Sequence, residues 1–258
     1  MGDLVQQNDF FDAQRVDDAI FFTVGGHILL SPSDQSLKQQ AFDYLDLVES
    51  SQEIKVVVLK ASPEVDLYKQ FYEFFCLLAD SRINESILFR MFRAYDQFIL
   101  KIMKSRIIFI AVINGDVPFQ TLNMGLAADY RIFADNTVVH NLSMKLGLAP
   151  EGAGAFLLER ILGPPKTLEL MLSNDGLTAT QAHELGIAQR VVPVDELETT
   201  ALECARDFAS KPAAALALNK RLLNSDLGRL EKCLELETQE LAKILKHTDG
   251  WKQSLECE

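Results

Sequence analysis

The sequence predicts an α/β fold with a C-terminal helical segment, and three observations carry that prediction. Short apolar runs rich in β-branched and aromatic residues recur as far as Pro193. Each run is followed by a stretch that can be helical. Beyond Pro193 the runs stop and only helical periodicity continues.

The first strand is expected at 19–24, through Ile20, Phe21, Phe22 and Val24. Ser33 or Asp34 can then cap a helix in which Leu37, Phe42, Leu45 and Val48 recur every three to four residues and form one buried stripe. A second strand is expected at 55–59 and a long helix at 87–103. The longest apolar run, 107–113, is far short of the roughly 18 to 20 residues of a membrane span and suits a buried strand. The next strand falls at 130–134. Strands separated by helices imply largely parallel pairing, right-handed crossovers and a sheet covered on both faces. Residues 1–194 are therefore read as the α/β core and 195–258 as a helical segment, with helices at 195–210 and 213–247 separated by Pro212. Leu216, Leu223, Leu227, Leu230, Leu234, Leu241 and Leu245 offer more apolar surface than one short helix can bury alone. The expectation is that this segment packs on a neighbouring subunit or folds back over the core.

The chain carries 37 acidic against 25 basic residues, a formal charge of −12. A field of that sign repels phosphate, so neither nucleic acid nor an anionic membrane surface is an expected partner. The same field opposes a phosphate-rich ligand unless a local basic surface offsets it. Arg90, Arg93, Lys101, Lys104 and Arg106 supply the visible cluster. The start of the chain, with Asp3, Gln6, Gln7, Asn8 and Asp9, lacks the basic and apolar stretches of a signal peptide, and a cytoplasmic location is expected. Cys76, Cys204, Cys233 and Cys257 lie far apart, which points to free thiols and to no metal centre.

Motifs narrow the reading. Ile108, Phe109, Ile110, Ala111, Val112 and Ile113 form a buried-strand pattern ending in Asn114 and Gly115. Leu126, Ala127, Ala128, Asp129, Tyr130, Arg131 and Ile132 follow, then Leu146, Gly147, Leu148, Ala149 and Pro150. Leu162, Gly163, Pro164, Pro165 and Lys166 precede a block over 177–193 that ends in Val-Val-Pro. In this order and at these spacings the blocks resemble the crotonase (enoyl-CoA hydratase/isomerase) superfamily. The resemblance implies a crotonase-like spiral of ββα units and a small-molecule acyl thioester as partner. Coenzyme A then enters as part of the substrate and not as a tightly bound cofactor, and the assembly is a homotrimer or hexamer. Outside 105–193 the likeness fades. The segment that helps hold the adenine of coenzyme A has no counterpart in 25–37, and the family's basic ending is replaced by Glu256, Cys257 and Glu258.

The family polarises a thioester carbonyl with two backbone N–H groups, one at the start of the helix after Asn-Gly. Its glycine triplet there reads Phe119, Gln120, Thr121, so Gln120 takes the donor position and Phe119 is expected to fill the acyl cavity. The second donor loop reads Ser62, Pro63, Glu64, Val65, Asp66. Pro63 falls on the donor and has no N–H to give; Gln120 and Val65 are the expected thioester-binding residues. The two glutamates that activate water in hydratases are replaced by Asn123 and Ser143, neither of which is a general base, so simple hydration is not expected. Glu151 matches the catalytic aspartate of dienoyl-CoA isomerases, and His140 is a second candidate for proton transfer. The decarboxylating homologues of polyketide β-branching also lack both glutamates. They use a lysine where this chain has Lys69 and a histidine where it has Gln239. Catalysis is thus expected from Glu151 or Lys69, beside Asn123 and Ser143, as an isomerase or decarboxylase working through an enolate. The alternative is a non-catalytic binding or assembly subunit.

Overall fold

A computed structural model describes residues 4–26, 35–80, 85–148, 151–173 and 175–247. The expected cap at Ser33 or Asp34 and the chain end around Asp249, Trp251 and Glu256 lie outside these residues. In chain order the strands are β1 (Gln6–Gln7), β2 (Phe11–Val16), β3 (Ala19–Val24), β4 (Val56–Ala61), β5 (Ile108–Ile113), β6 (Asp116–Pro118), β7 (Tyr130–Ala134), β8 (Val138–His140), β9 (Leu177–Thr178) and β10 (Arg190–Val192). The helices are α1 (Gln35–Ser50), α2 (Leu67–Ala79), α3 (Glu85–Lys104), α4 (Phe119–Ala127), α5 (Leu142–Lys145), α6 (Gly154–Leu162), α7 (Pro164–Leu172), α8 (Ala179–Glu184), α9 (Leu197–Ala209), α10 (Ala213–Leu223) and α11 (Leu227–His247).

The seven-stranded sheet runs β1-β2-β3-β4-β5-β7-β10, parallel from β3 onward, with β1 and β2 added antiparallel at one edge. Its centre, β5, is buried at all six positions. Alternation along such a strand feeds two separate cores. Phe109, Ala111 and Ile113 join the face covered by α1, α3 and α4, while Ile108, Ile110 and Val112 join the face covered by α9 through Leu197, Ala201, Cys204 and Ala205. The helices beyond residue 194 therefore share the core of the α/β part. A smaller sheet, β6-β8-β9, extends from the end of β5.

Two features of the helices have local causes. Leu67–Ala79 is a helix, started by the Asp66 side chain accepting from the Lys69 N–H, and it closes a third cluster with α3 through Phe71, Phe74, Phe75, Leu88 and Phe92. The single helix expected at 213–247 is broken after Leu223. Asn224, Ser225 and Asp226 stand at the break, side chains that compete for backbone hydrogen bonds. The Asn224 amide there reaches the Met103 carbonyl at 3.1 Å. α10 is pinned to the sheet by Lys220, whose ammonium is buried and donates to the Ile107 carbonyl and to Asp129, each at 2.7 Å. Cys204 and Cys233 are free thiols, as expected. Cys76, on the half-buried side of α2, is disulfide-bonded, which corrects the expectation for that residue. Among the described residues no helix is long and apolar enough to cross a membrane.

Candidate active site

The site is built where β5 gives way to α4. Gly115 turns the chain at φ +72°, and Pro118 caps α4 without a side-chain hydrogen bond. The first N–H groups of a helix have no intrahelical acceptor, so the amide groups of Phe119, Gln120 and Thr121 carry the positive end of the helix dipole. Gln120 and Thr121 face a cavity of about 500 Å³. Phe119 does not fill it: the ring is buried in the main core with Val117 and Leu122, which corrects the expected obstruction. The loss of glycine also stores no strain here. Among described non-glycine residues only Asp17 and Ala153 have positive φ.

Side chains hold this first turn. The Tyr95 hydroxyl, from α3, donates to the Gln120 carbonyl and faces the Met124 N–H, the group one helical turn on. The Gln120 side-chain amide donates to the Ser143 hydroxyl at 2.6 Å, and the Asn123 amide donates to the Glu151 carbonyl at 2.7 Å. The residues at Gln120, Asn123, Ser143 and Glu151 are thus brought together. The turn at Gly152 and Ala153 wraps closely on them. A Cβ at Gly152 (φ +97°) would sit 2.3 Å from the Tyr95 ring, and one at Gly154 would sit 2.7 Å from Asn123.

Behind this wall lies a buried acidic cluster. Glu151 is 1% exposed, and neither of its carboxyl oxygens has a hydrogen-bond partner. Burial, with Glu237 and Asp96 nearby, pushes its pKa up to about 9. Asp96 rises to about 7 through burial and the neighbouring Glu237. Glu237 also rises to about 7 by burial, although the N–H groups of Ala153 and Gly152, at 2.8 and 3.1 Å, hold it down. Tyr95, Asp96 and Glu237 carry no motif and were missed in the sequence. Tyr95 is the member of this group that lines the cavity; Glu151 lies outside the lining.

The other expected residues divide differently. Val65 lines the cavity, but its N–H donates to the Ser62 carbonyl at 3.0 Å and is not free for a thioester. The Ser62 N–H likewise goes to the Val24 carbonyl at 2.7 Å. Pro63 has none, so Glu64 is the residue of this turn whose N–H these bonds leave over. Lys69 does not reach the cavity: its side chain is 69% exposed and lies 3.8 Å from Glu73 on the outer side of α2. Gln239 is exposed and bonds Glu235 at 3.3 Å. His140 holds Asp116, a lining residue, at 2.6 Å and packs on the Tyr68 ring. Of the expected basic cluster, Lys101 pairs with Asp46 at 2.5 Å and Lys104 with Glu231 at 2.6 Å. Arg106 bonds Glu49 and the Ser51 carbonyl. The cations on the cavity wall are instead Lys38 and Lys60, the latter paired with Glu198.

The sheet delivers an uncapped helix start to an apolar cavity, and residues 34–256 match the model of the family described as enoyl-CoA hydratase/isomerase, the crotonase class. The chain belongs to that family. It is 32% identical over 146 residues to a 1,2-epoxyphenylacetyl-CoA isomerase of Escherichia coli K12, covering 56% of this chain and 56% of that protein. It is 31% identical over 139 residues to a 4-chlorobenzoyl coenzyme A dehalogenase of an Arthrobacter species, covering 54% of this chain and 50% of the relative. The matches thus span about half the length of these curated relatives. An enoyl-CoA hydratase structure from Bacillus halodurans superposes with TM-score 0.81 over 96% of this chain and 99% of that one, at 22% identity, a likeness of fold.

Proposed function

We propose that the chain binds the acyl thioester of coenzyme A, or of a carrier arm, in this cavity and works on it through an enolate, as an isomerase and not as a simple hydratase. The observation that carries this reading is the α4 start, where the Gln120 N–H, free of any helical acceptor, opens on an apolar cavity. A thioester carbonyl seated there gains stabilisation as negative charge moves onto its oxygen. With Asn123 and Ser143 at the hydratase positions, neither position carries a carboxylate to activate water. The α-proton removed on forming the enolate goes to the ionised minority of Glu151, whose pKa of about 9 keeps most of it protonated at neutral pH, and Tyr95 is the member of its cluster on the cavity wall. Decarboxylation is the weaker form of the proposal, because Lys69 stands on the outer surface. Both curated relatives described above are named for coenzyme A derivatives, which supports the substrate class.

The test is exchange of solvent deuterium into the α-carbon of a bound CoA thioester, which reports enolate formation whatever the product. Exchange that is lost in Glu151→Gln and Tyr95→Phe, with binding retained, is the expected result; full exchange in both variants would falsify the assignment. A non-catalytic binding subunit remains the second reading, favoured by the commitment of the Val65 N–H to Ser62 and by the place of Glu151 behind the wall. Tight binding with no exchange in the native protein would establish it.

A further inference from the structure

Resting on the thioester reading, the structure also speaks to the acyl group itself. With the carbonyl at the Gln120 N–H, the groups beside it are Tyr95, bonded to Gln120, and Met124, one turn further along α4. Phe98, one turn along α3 from Tyr95, and Phe42 of α1 continue the same wall and meet edge to face at 6.1 Å. These four side chains are only half-buried although they lie on helices packed against the main core, and the surface they leave open faces the cavity.

The polar groups of α3 and α4 on this wall are few, and most are engaged. The Tyr95 hydroxyl is held by the Gln120 carbonyl and the Gln120 amide by Ser143, which leaves the Thr121 hydroxyl. The charged side chains of the cavity come from other elements: Lys38 from α1, Lys60 from β4, Glu64 and Asp66 from the loop after β4, Asp116 from β6 and Glu198 from α9. Lys60 is already paired with Glu198. Two ammonium groups border the Phe42 end of this wall, Lys38 and Lys101, each 5.7 Å from the centre of the Phe42 ring, and Lys101 is already paired with Asp46. Space is not limiting. An apolar void of about 150 Å³ accepts benzene, and this cavity measures about 500 Å³.

We propose that the acyl group of the substrate is a bulky hydrocarbon bearing an aromatic ring, which slots edge to face among Phe42, Tyr95 and Phe98 against the Met124 thioether. Rings prefer such tilted contacts, and thioethers pack well on ring edges. Short acyl groups leave the rings wet.

Titration calorimetry on the whole chain tests this with phenylacetyl, acetyl and succinyl groups, each offered as the CoA thioester and as the pantetheine thioester, alongside free CoA. Phenylacetyl should bind tighter than both acetyl and succinyl by about tenfold or more. Phe98→Ala should reduce the phenylacetyl preference to below about threefold. Phe98→Leu, which keeps an apolar side chain in place, should give an intermediate preference and serves if the alanine variant does not fold. Equal binding of acetyl and phenylacetyl, or a preference for succinyl, overturns the acyl class and leaves the thioester reading standing. Absence of binding by every thioester and by free CoA overturns both.

Discussion

Replacing Glu151 by Gln should change how stability depends on pH. The unfolded carboxyl titrates near 4.5, and in the folded protein burial, Glu237 and Asp96 raise it to about 9. Below about pH 4.5 both states hold the proton and the group adds no cost. Above that, the unfolded chain ionises while the folded one stays protonated, so stability falls by about 1.4 kcal/mol per pH unit until the folded group also ionises. Between pH 5.5 and 7.5 the native protein therefore loses about 2.7 kcal/mol through Glu151. Glu151→Gln leaves the folded charge unchanged in this window, since the native carboxyl is already neutral there, and removes the titrating group from the unfolded chain. Asp96 and Glu237, raised to about 7, steepen both proteins alike. Any cost of seating the new amide is independent of pH and drops out of the slope. At roughly 2–4 °C per kcal/mol for a chain of this size, the melting temperature of the variant should gain about 5–10 °C on the native protein between pH 5.5 and 7.5. Thermal unfolding at fixed protein concentration measures it. Parallel curves across that range would show that Glu151 is not held protonated by the fold.

Gly152→Ala places a side chain at φ +97° and 2.3 Å from the Tyr95 ring, so urea unfolding should show a loss well above about 1 kcal/mol, and a variant as stable as the native protein would contradict the described turn. Lys220→Met strands Asp129 and the Ile107 carbonyl on the sheet; about 3 kcal/mol should be lost in the same assay, and less than about 1 kcal/mol would mean the pair is hydrated. Leu222, 63% exposed on α10 near Leu218, is the place to probe self-association: light scattering should give a trimeric or hexameric mass that Leu222→Lys lowers, and a mass unmoved by the change would put the contact elsewhere.

Much of the sheet was legible because its strands are short, apolar and buried on both faces. Residues 19–24 and 130–134 form strands with the expected bounds. The strands of two or three residues, β1, β6, β8, β9 and β10, are too short to set up any period. The helix carrying Lys69 was expected without bounds, because its core has Phe71, Phe74, Phe75, Leu77 and Leu78 in near-continuous succession, which masks a helical stripe. That same run contains the signal that Lys69 faces away. Phe71, Phe74, Phe75 and Leu78 mark the buried side, and Lys69 and Glu73 share the opposite one. At the site, motif spacing brought Gln120, Asn123, Ser143 and Glu151 to one place, since all four lie within or beside the patterned blocks. Tyr95, Asp96 and Glu237 come from helices whose periodicity shows only a buried face and not what that face meets.

Glu237 stands on α11, near the end of the chain, yet it accepts the N–H groups of Gly152 and Ala153 at the start of α6. That contact orders events during synthesis. The strands and the Gly115 turn can form while the chain is still growing, but the Gly152–Ala153 turn that packs on Tyr95 and Asn123 has no partner for its amides until residue 237 has been made. Pairing across so long a sequence interval is slow to close. A nascent or C-terminally truncated chain would therefore carry the sheet without the finished cavity wall, and the wall would be the last part of the molecule to form and the first that loss of α11 undoes.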